Sequence, residues 1–335
     1  MAARSSKTLS PHWLLVAAFF ASGVFIGGLA LFLWLGVQSP AVFKIHPTQK
    51  YPYINPILAV DVFENRQFGQ NHALELQVEG LINDHKRKGG ITSATVYYRD
   101  IEPGIWFGVG ADQKFSPGRL LKIPIMISYF KLAESNPEIL NQRITFYGEA
   151  EVQPLLGTRQ LPALVRGHSY SVDELIQKMI VDTDNAAANT LFDTIDKQAL
   201  GEVFSDLGID FHEDKETQDF IALKLYSLFF RILYNSSYLN REYSERALEI
   251  LIQGDNTIGL GANLPKSVPF ANRWGVRTIR NDGKSQVELY DCGIIFFPHH
   301  PYLMCATAIG GGLAPVQDFL KELGELVYNE TKYRY

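Results

Sequence analysis

Residues 114–125 read Lys-Phe-Ser-Pro-Gly-Arg-Leu-Leu-Lys-Ile-Pro-Ile, or KFSPGRLLKIPI. Ser116-Pro117-Gly118 is a turn signal, and the apolar run behind it predicts a helix beginning near Arg119. Arg119 and Lys122 are three residues apart, so one helical turn carries both to the positive end of that helix, where the dipole disfavours cations. Two like charges in that position call for a compensating group or a chemical role.

Working outward, the flanks place this helix in a fold. Asn71 to Lys86 carries Leu74, Leu76, Val78, Leu81 and Ile82 on roughly one helical face. Ser93–Arg99 (SATVYYR) and Gly104–Val109 (GIWFGV) read as two strands joined by a short turn containing Pro103. Downstream the pattern turns helical. Ser171 with Glu174 has capping-box spacing ahead of Val172, Leu175, Ile176, Met179 and Ile180. Further helices are expected over 185–194, 217–234 and 240–252, strands over 287–297 and 302–309, and a last amphipathic helix through Val316, Phe319, Leu320, Leu323 and Val327. Strands at both ends of the chain with helices between them imply an α+β fold: one antiparallel sheet assembled from both chain ends, with helices on its faces and a helical subdomain.

The first residues do not belong to that domain. From Trp13 to Val37 the chain runs WLLVAAFFASGVFIGGLALFLWLGV without a charge, long enough for a helix to span a bilayer core. A cleavable signal peptide would have a shorter apolar region and a small-residue cleavage site, so we read residues 13–37 as an uncleaved transmembrane signal anchor behind a cytoplasmic tail, 1–12. Arg4 and Lys7 on one side face Lys44 and Lys50 on the other, which leaves little positive-inside bias. Residues 38–68, rich in Pro and Tyr, read as an extended stalk that partly packs on the domain, 69–335.

Composition narrows the function. The 335 residues carry a net charge of -5 and no basic stripe, which argues against a nucleic-acid partner. His168, His299 and His300 lack ligand-like spacing, so no metal or cofactor is expected. The two cysteines, Cys292 and Cys305, flank a predicted hairpin turning at Pro298-His299-His300-Pro301; that register does not set them opposite one another, and they are expected to be buried free thiols. The run LKLYSLFFRILY, with Tyr226 and Tyr234, has helical spacing and is expected in the core.

Three short stretches carry the chemistry: Arg119-Leu120-Leu121-Lys122, Thr183-Asp184-Asn185 between two helices, and Arg273-Trp274-Gly275 ahead of the late strands. With their surroundings, SPGRLLKIPIMISYFK, MIVDTDNAAANTLF and ANRWGVR followed by YDCGIIFFPHHPYLMCATAIGG, they resemble the serine β-lactamases of class A and the related D,D-peptidases, whose signature is S-x-x-K, S-D-N, K-T-G. The resemblance covers roughly residues 53–330.

It implies an acyl-transfer site. In the family a serine attacks a carbonyl while the lysine one turn on takes its proton, the S-D-N hydroxyl and amide relay the proton and hold substrate, and K-T-G grips the substrate carboxylate. Carried over, Lys122 matches the lysine, Thr183 keeps a hydroxyl, Asn185 and Gly275 match, and Asp184 takes a structural carboxylate's place. Arg119 replaces the nucleophile, Arg273 replaces a lysine with the charge kept, and Trp274 puts an indole where a small hydroxyl residue belongs, expected to crowd the substrate.

A guanidinium stays protonated and is no nucleophile. In another serine hydrolase, loss of the nucleophile lowers turnover on the order of a million-fold. The resemblance, with these departures, therefore implies a catalytically inactive, extracytoplasmic domain, membrane-anchored through 13–37, that binds an anionic cell-wall peptide or an envelope protein through Arg119, Lys122, Asn185, Arg273, Trp274 and Gly275. The alternative is a hydrolase acting on β-lactams or D,D-peptides through Thr183 or Ser116; Ser116 stands six residues before Lys122, outside the helical-turn geometry. Arg119, Lys122 and Arg273 are expected to converge, with Asp184, Glu149 or Glu151, or a bound anion, compensating them.

Overall fold

In a computed structural model, the residues described are 51–55, 71–101, 104–115, 121–149, 163–211, 221–281 and 283–335. The apolar run 13–37, most of the stalk, Ser116, Arg119 and Glu151 lie outside them. Among the described residues no helix is long and apolar enough to cross a membrane.

The chain begins its sheet early and finishes it late. Helix α1 (His72–Arg87) leads into β1 (Ser93–Asp100) and β2 (Trp106–Val109), and the sheet is completed by β7 (Phe270–Asn281), β8 (Lys284–Ile295) and β9 (Tyr302–Gly310). The order is β2-β1-β9-β8-β7 with every neighbour antiparallel, so β1 pairs with β9 from the far end of the sequence. Between these two blocks run β3 (Lys114–Phe115), α2 (Lys122–Ser135), the ribbon β4 (Arg143–Thr145) with β5 (Ser169–Ser171), then α3 (Val172–Ile180), α4 (Asn185–Thr194) and α5 (Lys197–Ser205). β6 (Ile221–Ala222), α6 (Leu223–Tyr226), α7 (Leu228–Tyr234) and α8 (Arg241–Ile252) follow, and α9 (Leu313–Arg334) closes the chain. This is the α+β arrangement the sequence predicts.

Each strand face supplies its own core. Ala271, Tyr290, Cys292, Ile294, Leu303 and Cys305 point into a cluster with α2 through α8, while Phe270, Trp274, Leu289, Met304 and Ala306 point the other way, onto α1 and α9. Strand alternation makes this division, since consecutive side chains leave opposite faces. The same division decides which site residues meet.

Local signals set most helix starts. The Ser171 hydroxyl accepts from the Glu174 amide at 3.0 Å while the Glu174 carboxylate takes the Ser171 amide at 2.6 Å, the reciprocal cap that the spacing predicts. Asn240 caps α8 through the amide of Tyr243. The helix expected over 217–234 is corrected: Ile221 and Ala222 pair with Phe115 and Lys114, and helix begins only at Leu223. A pairing more than a hundred residues away in sequence outweighs local propensity there.

The cysteines are also corrected. Ile295 pairs with Tyr302, which centres the hairpin one residue earlier than expected and shifts every partner by two, so Cys292 faces Cys305 and the two form a disulfide. Both are fully buried.

Residues 51–55, inside the segment read as stalk, are docked on the domain. The amides of Tyr53 and Ile54 donate to the Glu245 carboxylate at 2.9 Å each. The Asn55 amide donates to the Tyr234 carbonyl at 2.6 Å.

Candidate active site

Of the three motif stretches, Lys122, Thr183, Asp184 and Arg273 come together where the first turn of α2, the α3–α4 loop and β7 meet; Arg119 lies outside the described residues. Lys122 opens α2 and is 2% exposed. Its ammonium donates to the Thr183 carbonyl at 2.9 Å and the Asp184 carbonyl at 3.2 Å. Arg273 is 3% exposed and reaches the same loop from β7, donating to the Ile180 carbonyl at 3.1 Å and the Thr183 hydroxyl at 3.3 Å. Two buried cations thus share one threonine: Lys122 holds its carbonyl and Arg273 its hydroxyl.

Thr183 itself has φ 60°, a left-handed conformation unusual for a β-branched residue. The Asp184 carboxylate accepts from the Ala187 amide at 3.0 Å and caps α4, whose first residue is Asn185. That oxygen is engaged with the helix.

Both cations are held chiefly by carbonyl oxygens and not by carboxylates: Ile180 offers the free carbonyl at the end of α3, Thr183 its carbonyl and hydroxyl, and Asp184 its main-chain carbonyl. Glu149 is exposed. Asp291 on β8 is fully buried and feels the Arg273 charge. Burial pushes its carboxyl up to about 7, against the pull of the Asn272 side chain at 2.9 Å, the Leu260 amide at 2.8 Å, the Cys292 amide and Arg273. Asp291 sits in the YDCGII stretch; the strand register sets it across from Trp274, so its side chain shares the α1–α9 face with Asn272 and Trp274, on the other side of the sheet from Arg273.

Gly275 makes room for an aromatic ring. It pairs with Tyr290 across β7 and β8, and a Cβ at Gly275 would lie 2.2 Å from the Tyr290 ring. Tyr290 and Tyr226 are each 1% exposed, and the Phe115 ring contacts both at 6.3 Å. Burial raises the Tyr226 hydroxyl well above its ordinary range, so it stays protonated near Arg273. This aromatic lining was missed because its members are far apart in sequence.

Trp274 is corrected as a cleft residue. Its neighbours Arg273 and Gly275 face the helical layer, so alternation turns the indole to the other side of the sheet. There it is buried in the core with α1 and α9, and its N–H donates to the Asp255 carbonyl at 2.8 Å. Among the described residues no group of His, Cys, Asp or Glu could hold a metal ion.

The lysine at the start of a buried helix, the hydroxyl loop between two helices and the cation on the edge strand of the antiparallel sheet occupy the places of the S-x-x-K, S-D-N and K-T-G stretches. The family model described as beta-lactamase enzyme family matches residues 73–331, and the chain belongs to that family. Its fold is similar to that of PBP-A, with a TM-score of 0.63 at 18% identity, 80% of this chain and 99% of PBP-A being covered. A beta-lactamase from Chitinophaga pinensis gives a TM-score of 0.64 at 13% identity over 77% of this chain and 99% of its own. One from Xanthomonas campestris gives 0.61 at 20% identity over 76% and 98%. PBP-A has also been seen, as a mutant, in an acyl-enzyme complex with penicillin G. Comparison with curated proteins gives no match.

Proposed function

We propose that this member of the beta-lactamase enzyme family is a catalytically inactive, membrane-anchored domain on the extracytoplasmic side, acting by binding an anionic envelope ligand or an envelope protein. The observation that carries this reading is Arg119 at the nucleophile position, three residues before Lys122, because a guanidinium cannot attack a carbonyl. Lys122 itself donates to two carbonyls and fastens the Thr183 loop.

Membrane insertion is supported by the uncharged run 13–37, and extracytoplasmic placement by the Cys292–Cys305 disulfide, since structural disulfides persist in oxidising compartments. Thr183 is a poor substitute nucleophile, because its oxygen lone pair accepts from the Arg273 guanidinium.

The test is incubation of the full chain with a penicillin, followed by intact-mass spectrometry, and with a chromogenic cephalosporin. No adduct and no hydrolysis are expected. A stoichiometric acyl adduct on Thr183, Ser116 or any other residue would restore the hydrolase reading.

A further inference from the structure

One end of the sheet gathers three chain segments that the site does not use. β1 ends at Asp100, β8 ends at Ile295 and β9 begins at Tyr302, and the cross-strand pairs Asp100 with Tyr302 and Ile295 with Tyr302 put all three at the same end. The loop between β8 and β9 reads Phe296-Phe297-Pro298-His299-His300-Pro301. Tyr53 arrives there from the amino-terminal side, its ring 5.2 Å from Phe296. α9 arrives from the other side: Tyr328 meets Phe297 at 5.5 Å, and Tyr335 stacks on His300 at 3.5 Å while its hydroxyl donates to Asp100 at 2.8 Å. A cleft of about 530 Å³ opens between residues 52–54 and the β8–β9 loop, lined by Pro52, Tyr53, Phe296, Pro298 and His299 among others.

The surface of this end is aromatic and basic. Tyr333 is 89% exposed and Tyr335 49%, and they alternate with exposed Lys332 and Arg334 in the sequence Lys-Tyr-Arg-Tyr. Pro298 and His299 are exposed beside them, and Glu330 is the carboxylate one turn back along α9. Tyrosines with basic neighbours are the residues that settle at a bilayer's headgroup level, the ring seated among the first carbons and the cation reaching phosphate. Tyr333 and Tyr335 stand two residues apart at this end, whereas the other exposed large hydrophobics, Leu76, Tyr147, Val165 and Leu225, are scattered along the chain.

We propose that this end of the domain rests on the lipid headgroup layer, with Tyr333, Tyr335, Pro298 and His299 entering the interface and Lys332 and Arg334 attracting anionic headgroups. The proposal rests on the membrane-anchor reading of residues 13–37. Residues 38–50 lie between that run and Tyr51, and fully extended they reach at most about 45 Å. A compact unit of roughly 290 residues has a radius of gyration of about 19 Å, so presenting its far end to the bilayer would use nearly the whole tether to pass around it. The end that receives Tyr51 meets the lipid first.

The experiment uses the full chain in phosphatidylcholine–phosphatidylglycerol vesicles. Both native cysteines are paired, so a single introduced cysteine takes a fluorophore selectively. Four separate variants are labelled: His299→Cys and Tyr333→Cys at the proposed interface, Lys88→Cys beyond the opposite end of β1, and Phe25→Cys inside the apolar run. Brominated lipid then quenches whatever touches the bilayer. Quenching at positions 299 and 333 is expected to be several-fold stronger than at 88. In vesicles of phosphatidylcholine alone it should drop. Strong quenching at 25 with none at 299 and 333 overturns the docking and leaves the anchor standing. Equal quenching at 88 and 299 overturns it as well, since no face is then preferred. Quenching at none of the four removes the anchor and the docking together, and cross-linking between two copies at 299 would assign the face to self-association instead.

Discussion

The Lys122 ammonium lies 2.9 Å from the carbonyl of Thr183, a β-branched residue held at φ 60°. The lysine that would serve the family's chemistry is here a clamp on a strained loop. Strain of this kind costs about 1–3 kcal/mol and persists only where surrounding contacts over-determine it. Lys122 on the carbonyl and Arg273 on the hydroxyl are those contacts.

Lys122→Met should therefore destabilise the fold by about 2–3 kcal/mol, because a buried charged donor is lost and the loop carbonyls are left without it. Urea unfolding of the two proteins measures this. Adding Thr183→Gly to Lys122→Met should recover part of the loss, since glycine adopts φ 60° freely. A Lys122→Met protein as stable as the parent would show that the clamp contributes nothing.

Arg119→Ser should not restore acylation. The serine would return, yet Lys122 would still donate to Thr183 and Asp184 and Tyr290 would still fill the space beside Gly275. Intact mass after a penicillin challenge reads the result. A full-occupancy adduct would show that one substitution separates this chain from an active enzyme.

Asp291 sets a pH dependence of unusual sign. Its carboxyl is raised to about 7 in the folded protein against an ordinary 3.8, so between these values the folded state binds the extra proton. Stability from this group is full below about pH 4, falls as pH rises towards 7 and is flat beyond. The difference between the parent and Asp291→Asn isolates it, as asparagine can still accept from Leu260. Plotted from pH 5 to 8, the parent's urea midpoint should decline relative to the variant's. A constant difference would mean that Asp291 is ionised throughout.

Gly275→Ala should cost about 1–3 kcal/mol by forcing the Tyr290 ring aside. Combined with Tyr290→Leu, the cost should shrink. Additive losses in the double-mutant cycle would deny the contact.

The disulfide should be complete in protein recovered from an oxidising compartment. Alkylation under denaturing conditions without reductant is expected to label neither Cys292 nor Cys305. Breaking the bridge with Cys305→Ser should destabilise the fold by about 3 kcal/mol, the loop-closure value for a separation of 13 residues.

By itself the sequence determined the α+β class, the Ser171–Glu174 cap, the span of α4 and the three motif stretches. Each is local: a helical period, a capping pair or a short ordered string is written in neighbouring residues. Tertiary structure decided the rest. Whether Trp274 crowds a cleft or fills a core depends on strand parity, which one residue of shift inverts, and the Cys292–Cys305 bridge depended on a one-residue shift of the hairpin centre. The break of the 217–234 helix came from pairing with Lys114 and Phe115, and the anchoring of Lys122 came from carbonyls that no side-chain pattern advertises. Those are relations between residues far apart in the chain, and burial in a low-dielectric interior is what gives them their energy.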